Sequence, residues 1–509
     1  MALGSPRRRT PSMELWDDPP IAASAHSSAY STASVDMGMG QRTHRAMGVD
    51  HPWLKRRYII TALCFIVTTI CYADRTNIGI AIPAFVTDKN EQGLVLSAFF
   101  YGYLITQLPG GYLAARLGAK RVLLGGVIIW TLFDLSTILV SSNFTPLFIA
   151  RIGMGLGEGI LFPCMHQIAG AWYPLQERSR LVAIISSGSD VGTVLAMVVS
   201  PALMASFGWP VIFQFFGVLS FCWVFTYYVY GESLPEHDPR ISPEERAFIL
   251  ANRSSAATAK GYAMIVDAIN LKLLLTSRAA WAVYVAHFCQ NYGWYVLLGW
   301  IPQYFRQVLH IDLGAKGFTA ALPYLCGYMG VVSFGRIGDM AVARGVRVLR
   351  VRQAINAFGF LGSALFLYLM RYAHNAPTAI AMLCCALFLT RSAVSGFWVN
   401  MIDIGPRHAA HVMAVSNSFA TIPGVIGNVV TGRILAATND WNFVFAIAAS
   451  VLAFGAVFFH CNASDQSIYE TDARKHGGGN GDVSPGSFAT NTTMLSTPRQ
   501  EEMGLLDEY

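Results

Sequence analysis

The sequence predicts an all-α polytopic membrane protein, with twelve transmembrane helices in two pseudo-symmetric six-helix halves. Three observations carry that reading. Of the 509 residues, 54% are hydrophobic and only 13% charged, about half the ~25% charged share of soluble globular proteins, and mean hydropathy is +0.43. Apolar runs long enough to cross a bilayer, about 20 residues each, recur from Tyr58 to Cys461. Finally, Gly111-Tyr-Leu-Ala-Ala-Arg-Leu-Gly-Ala-Lys-Arg-Val-Leu, after the second run, is echoed after the eighth by Gly335-Arg-Ile-Gly-Asp-Met-Ala-Val-Ala-Arg-Gly-Val.

The elements follow in chain order. Residues 1–56 hold Ser, Ala, Gly, Pro, the basic run Arg7 to Arg9 and the acids Glu14, Asp17 and Asp18. They lack an apolar h-region, so they read as a disordered cytoplasmic tail rather than a signal peptide. The acids count against an organellar transit peptide. The first half, 57–231, holds spans 1 to 6 at about 57–84, 92–114, 121–141, 146–172, 179–205 and 209–231. Residues 232–278 form a hydrophilic cytoplasmic linker with Pro235, Pro239, Pro243 and the charged run Glu244-Glu245-Arg246. The second half, 279–461, holds spans 7 to 12 at about 279–306, 314–341, 350–372, 376–402, 407–435 and 440–461. Residues 462–509 are polar and read as a second disordered cytoplasmic tail.

Orientation follows from the excess of Lys and Arg in cytoplasmic loops. Lys55, Arg56 and Arg57 precede span 1; Arg116, Lys120 and Arg121 join spans 2 and 3; Arg178 and Arg180 join spans 4 and 5. Arg344, Arg347, Arg350 and Arg352 join spans 8 and 9, while the alternate loops are nearly free of such residues. Both tails and the linker therefore face the cytoplasm. A duplicated six-helix unit around a long cytoplasmic loop is the architecture of major facilitator transporters.

Composition excludes other classes. No Lys/Arg track with interleaved aromatics suggests nucleic-acid binding. The nine cysteines lie mostly in apolar segments without a C-x-x-C pair, and read as core residues, not a metal site or disulfide framework. No nucleophile–base or metal-ligand constellation appears on a loop, so neither an enzyme nor a cofactor is expected.

Charge inside the spans carries the function. A charged side chain at a bilayer centre costs roughly 2.5–3.5 kcal/mol on insertion scales, so each needs a partner or a purpose. Span 1 carries Asp74 and Arg75, span 3 Asp134, span 4 Arg151 and Glu158, span 5 Asp190 and span 10 Arg391. Arg151 and Glu158 are seven residues apart, about two turns and ~10 Å along one face. Asp74 and Arg75 differ in direction by about 100°. The structural alternative is that Asp74 or Glu158 neutralises a neighbouring arginine as a packing pair. Arginine stays charged and presents a planar fork of donors to carboxylate or phosphate. A cavity with Arg75 and Arg151 should attract anions, and carboxylates there can carry a coupling proton. Arg391 stands evenly between cavity and interface anchor.

Span 4 also carries Gly153, Gly155, Gly157 and Gly159, two interleaved G-x-x-x-G pairs, read first as close helix packing. Of the aromatics Tyr103, Tyr292, Trp294, Tyr295 and Trp398, one or two should line a cavity. Ser416 and Asn417 of span 11 could supply neutral hydrogen bonds.

The segments 93–112, Arg151-Ile-Gly-Met-Gly-Leu-Gly-Glu-Gly, Trp172-Tyr-Pro-Leu-Gln-Glu-Arg-Ser-Arg, 291–305, Asp403-Ile-Gly-Pro-Arg-His-Ala and Asn417-Ser-Phe-Ala-Thr-Ile-Pro-Gly resemble the anion–cation symporters of the major facilitator superfamily. That group includes sialin, vesicular glutamate and nucleotide transporters, sodium–phosphate cotransporters, plant-type phosphate transporters and bacterial sugar-acid symporters. The resemblance implies that Arg75 contacts the substrate anion, with Tyr103 beside it. It implies that Arg151 and Glu158 serve charge balance and cation coupling, and that Asp74 is the extra acid tied to proton coupling. The cytoplasmic gating motif would be Gly111, Arg116, Gly118, Lys120 and Arg121, with Gly335, Gly338 and Asp339 in the second copy.

Departures are also visible. Leu96 and Gln290 stand where vesicular glutamate transporters carry a histidine and an arginine. Ser189, followed by an unusual Asp190, stands where sugar-acid symporters carry a glutamine, and Ala115 where the gating motif normally carries an acid. The expectation is a secondary active anion transporter working by alternating access, most of all an inorganic phosphate symporter coupled to H+ or Na+. Glu158, Asp74 and Asp190 would handle the cation. The alternative is a small organic anion such as a sialic acid, sugar acid, glutamate or nucleotide, coupled to protons or driven by the membrane potential. Glu501, Leu505 and Leu506 have the spacing of an acidic dileucine signal for sorting adaptors, pointing to endosomal, lysosomal or vacuolar membranes, with the plasma membrane and other organellar membranes also open.

Overall fold

The computed structural model describes residues 55–253, 271–373, 375–405, 409–469 and 471, and every regular element among them is helical. The dileucine candidates and nearly all of both tails lie outside the described residues. Spans 1 to 3 are α1 (Arg56–Ala81), α2 (Lys89–Leu117) and α3 (Ala119–Val140). Span 4 comprises α4 (Phe144–Glu158) and α5 (Leu161–Trp172); spans 5 and 6 are α6 (Leu175–Phe207) and α7 (Pro210–Tyr230). The linker contributes α8 (Pro243–Asn252) and α9 (Leu271–Thr276). Spans 7 to 9 are α10 (Arg278–Gln307), α11 (Leu313–Ala343) and α12 (Val348–Leu369). Span 10 comprises α13 (Ala376–Ser392) and α14 (Val394–Ile404), and spans 11 and 12 are α15 (Ala409–Thr438) and α16 (Trp441–Asn462).

Ten of these spans are long and apolar enough by composition to cross a membrane. The other two, α2 and α10, have 29 and 30 residues but are diluted by Gln, Tyr and Trp, so the twelve-span architecture is consistent with the structure. Several helices overshoot their apolar runs: α2 begins at Lys89, where the Asp88 carboxylate accepts from the Asn90 amide. Only one residue, Gly118 at φ 86°, separates α2 from α3, and Gly208 at φ 85° turns the chain after α6. Left-handed φ favours glycine at both.

Two spans expected to be continuous are broken. Span 4 is interrupted at Gly159 and Ile160, because Pro163 has no N–H to give the Gly159 carbonyl and its ring crowds that group. Span 10 is interrupted at Ala393, where the Gly396 amide bonds back only three residues to the Ala393 carbonyl at 2.8 Å, a tightened turn. The internal echo makes these equivalent spans of the two halves.

The span 4 glycines divide their work. A Cβ on Gly155 or Gly159 would lie 2.0 Å from the Phe99 carbonyl oxygen or 2.2 Å from Thr106 Oγ1, both on α2. On Gly153 or Gly157 it would strike Phe133 or the Trp130 backbone of α3. One pair seats each neighbour, so the packing role holds.

The halves meet along α2 with α15, α6 with α11 and α1 with α10. At the end away from the linker they are sealed. A Cβ at Gly79 would sit 2.6 Å from the Gly299 carbonyl oxygen, and one at Gly93 2.7 Å from that of Asn428. Lys89 Nζ donates to Gln303 Oε1 at 2.6 Å, and Arg306 Nη2 to the Ile80 carbonyl at 2.9 Å.

At the linker end, charges belt the first half together. Arg56 donates through Nε and Nη2 to Asp238 at 2.8 and 2.6 Å. Arg57 holds Glu177 at 2.8 Å and Glu245 at 3.0 Å, and its hydrogen bond keeps the Glu177 carboxyl below the ordinary carboxylate range. Ser242 caps α8 by accepting from the Glu245 amide. The linker is therefore folded against the first half from Glu232 to Arg253, not wholly a hydrophilic tether.

Of the gating motif, Lys120 donates to Glu232 Oε2 at 3.2 Å and its amide to Ser233 Oγ at 2.9 Å. Arg116 stacks on Tyr112 at 4.5 Å; Arg121 is exposed and Gly111 faces Pro163. In the second copy Gly338 packs on Ile355, Gly335 lies near Ser395, and Asp339 is exposed with no ion pair to a described residue. Arg352 pairs instead with Asp403 at 3.0 Å.

Candidate functional site

Spans 1, 3 and 4 bring five ionisable side chains together in the first half. Asp74, Asp134 and Arg151 are at most 2% exposed, Glu158 is fully buried and Arg75 is 6% exposed. Glu158 ends α4 at the Gly159 break, and its Oε2 accepts from Arg75 Nε at 2.5 Å and from the Cys71 thiol at 3.1 Å. Arg151 Nη1 donates to Asp134 Oδ1 at 3.3 Å and contacts Met154 Sδ at 2.7 Å. The packing alternative is thus partly realised: each arginine holds one acid.

The holds are incomplete. Arg75 Nη1 and Nη2, Arg151 Nε, Glu158 Oε1 and Asp74 Oδ1 are buried without a hydrogen-bond partner among the described residues. An orphaned buried donor costs about 1–3 kcal/mol, more when charged. Arg75 is held in place by its Nε bond and by rings on both sides, with Tyr72 and Phe99 centroids at 4.8 Å and Tyr103 at 4.5 Å. Its two outer nitrogens are left over.

Both guanidiniums line a central cavity with about 30 Å³ of water-accessible space. Its other walls are Ile78, Leu96, Phe99, Phe100, Tyr295, Leu298, Gly299 and Asn428, so both halves contribute. The volume suits one or two waters, so this conformation is contracted around its centre. Charge is also unbalanced: two guanidiniums face three carboxylates. The third acid has no guanidinium of its own, and isolated buried charge is expensive.

The other predicted residues are dispersed. Asp190 is across the halves on Arg391, at 3.2 Å. Ser416 bonds His287 Nδ1 at 2.8 Å, beside Trp398, and Asn417 is half-buried with its carbonyl accepting from Thr421; none of these lines the cavity. Of the aromatics, Tyr295 lines it, Tyr103 covers Arg75 and Trp294 stacks on Arg391 at 4.7 Å. Sequence reasoning missed Asn428, whose Oδ1 accepts from Trp300 Nε1 at 3.0 Å, and the buried His287. Each is a lone polar residue in an apolar run, the signal that could have flagged it.

The Major Facilitator Superfamily profile matches residues 64–428. The sodium-dependent phosphate transport protein 1, chloroplastic, of Arabidopsis thaliana is 34% identical over 427 residues, 82% of each chain. Sialin of Ovis aries is 35% identical over 378 residues, 73% of this chain and 75% of sialin. Vesicular glutamate transporter 2 of Bos taurus is 32% identical over 438 residues, 81% and 75%. Among solved structures, the xylose transporter XylE from E. coli in an inward open conformation superimposes with a TM-score of 0.61 at 15% identity, covering 82% of this chain and 99% of that one. The chain is a multi-pass membrane transporter of the major facilitator superfamily, and its relatives there are anion transporters.

Proposed function

We propose that this protein is a secondary active anion transporter that works by alternating access, with inorganic phosphate as substrate and H+ or Na+ as the coupling cation. One observation carries the reading: the Arg75 guanidinium spends Nε on Glu158 and presents Nη1 and Nη2, unpartnered, in a buried central site. Two parallel N–H donors match two oxygens of a phosphate or carboxylate. Arg151 adds a second positive charge on the same cavity.

Coupling follows from competition. While Glu158 is ionised it holds Arg75; a proton or Na+ on that carboxylate weakens the hold and leaves the guanidinium to the anion. Asp74, close enough to Asp134 and Glu158 to interact electrostatically, is the second cation acceptor. Once the anion is bound, the halves rock about it, and the Gly79–Gly299 and Gly93–Asn428 seals open. Phosphate is favoured by Ala73-Asp74-Arg75 of span 1 and Asn417-Ser-Phe-Ala-Thr-Ile-Pro-Gly of span 11, which resemble the plant-type phosphate transporters, and by the phosphate transporter among the relatives. The aromatic wall of Phe99, Phe100 and Tyr295 supports a second reading, an organic anion with an apolar face. The relatives' compartments favour an organellar membrane, which imaging of the tagged protein would test.

The test is uptake by the purified full-length protein in liposomes, under imposed proton and sodium gradients, from a panel of phosphate, L-glutamate, N-acetylneuraminate and ascorbate. Gradient-driven uptake that Arg75→Ala abolishes is the expected result. Normal uptake by that variant would remove Arg75 from the substrate site.

A further inference from the structure

The bridge from Asp190 to Arg391 is the one ion pair between the halves among the described residues. Its depth can be read from the packing. A Cβ at Gly188 would meet the Phe65 carbonyl and Thr68, and one at Gly192 the Thr69 carbonyl. Asp190 therefore lies near the level of Thr68, seven residues or about 10 Å to the linker side of Arg75. Gln107, which donates to Thr421 across the halves at 3.2 Å, is a similar distance beyond Phe99. These two contacts close the floor of the central cavity.

The bridge is underfilled. Arg391 reaches both Asp190 oxygens through Nη2 alone, at 3.2 and 3.5 Å. The fork of Arg57 on Glu177, Nε to Oε2 at 2.8 Å and Nη2 to Oε1 at 3.1 Å, shows what a two-nitrogen, two-oxygen grip looks like in this protein. Arg391 Nε is buried without a partner among the described residues, and the guanidinium face rests on Trp294. Position supplies a second, independent observation. Arg391 stands two residues before the break of span 10, as Glu158 stands at the break of the equivalent span 4. Paired interruptions in corresponding spans frame binding sites in two-fold transporters.

We propose that Arg391 is a second anion-binding station, for the same oxyanion that Arg75 receives, and that Asp190 is its exchangeable counter-ion. An anion moving to the linker side takes the one nitrogen that Asp190 holds, together with the unpartnered Nε, and so opens the bridge between the halves. This rests on the anion-transport reading.

A bridge that only joins the halves is weakened alike by losing either partner. A station responds with opposite signs, because Asp190→Asn removes a competitor and Arg391→Gln removes the receptor. The experiment is half-saturation of uptake into proteoliposomes of the full-length protein, in separate arms for inorganic phosphate, L-glutamate and N-acetylneuraminate. Asp190→Asn is expected to lower the half-saturating concentration of the transported anion several-fold. Arg391→Gln should raise it about tenfold, with Arg391→Lys between it and wild type. Thermal melting of each variant separates misfolding from weak binding, and Arg391→Lys serves if the Gln variant does not fold. Shifts in the same direction, or none, with wild-type uptake intact, would overturn the station and leave the transport reading standing. Wild-type protein that carries none of the three anions overturns both.

Discussion

Replacing Arg75 with lysine separates the two jobs of the guanidinium. The arginine binds Glu158 through Nε at 2.5 Å and leaves Nη1 and Nη2 buried without a hydrogen-bond partner among the described residues, beside the cavity its side chain lines. A lysine carries the same charge on one nitrogen, which the buried Glu158 carboxylate will claim, so the ion pair survives and the fork does not. Each hydrogen bond to a charged group contributes about 1.5–3 kcal/mol. Two lost bonds amount to about 3–6 kcal/mol, and residual Coulomb attraction to the ammonium returns part of that. At ~1.4 kcal/mol per factor of ten, Arg75→Lys should raise the half-saturating anion concentration at least ~100-fold. The assay is concentration-dependent uptake in proteoliposomes, with a melting curve to verify that the ion pair still supports the fold. Half-saturation within about threefold of wild type, a difference of roughly 0.7 kcal/mol, would refute the role given to Nη1 and Nη2.

Three further outcomes follow from other parts of the molecule. Glu158→Gln keeps an oxygen for Arg75 Nε but cannot take up a proton; anion exchange should persist while uptake no longer responds to a pH gradient, and a full pH response would move coupling to Asp74 or Asp190. Gly155→Ala would push a methyl to 2.0 Å from the Phe99 carbonyl oxygen, whereas Gly125→Ala meets nothing within 4 Å. The first should cost about 1–3 kcal/mol or more and lower the melting temperature, the second should leave it unchanged, and equal melting would contradict the packing of α4 on α2. The Glu177 carboxyl is held below its ordinary value of 4.5 by the hydrogen bond from Arg57, so its stabilisation is complete above that value and disappears as pH falls through the depressed one. The melting difference between wild type and Glu177→Gln should therefore be present at pH 7 and shrink on acidification below about pH 4; a constant difference would show that the pair contributes no charge effect.

The spans were legible because the bilayer imposes their length. Their ends were not, since hydropathy marks the hydrocarbon and says little about helix beyond it, as at Lys89 and Leu175. The break in span 4 had a visible cause in Pro163, but the one in span 10 has no proline and arises from a tightened turn at Ala393. Each central charge was visible as an oddity in an apolar run. Which acid serves which arginine was not, because Arg75 and Glu158 are 83 residues apart and meet only when α1 packs beside the end of α4. Spacing along span 4 put Arg151 and Glu158 on one face, yet each found its partner on a different helix. Asp190 and Arg391, 201 residues apart, read separately as a coupling acid and an ambiguous cation; across the halves they form one bridge. Asn428 has no motif around it to mark it: it stands in an apolar run about three turns beyond Ser416 and Asn417, farther from the linker.

The most direct measurement is an experimental structure of the wild-type protein in a lipid nanodisc, with the transported anion present at saturating concentration. Anion oxygens within hydrogen-bonding distance of Arg75 Nη1 and Nη2, with Arg151 on the same cavity, are the predicted result. An anion lodged elsewhere, with both of those nitrogens turned onto Glu158 or Asp74 instead, would contradict the proposal.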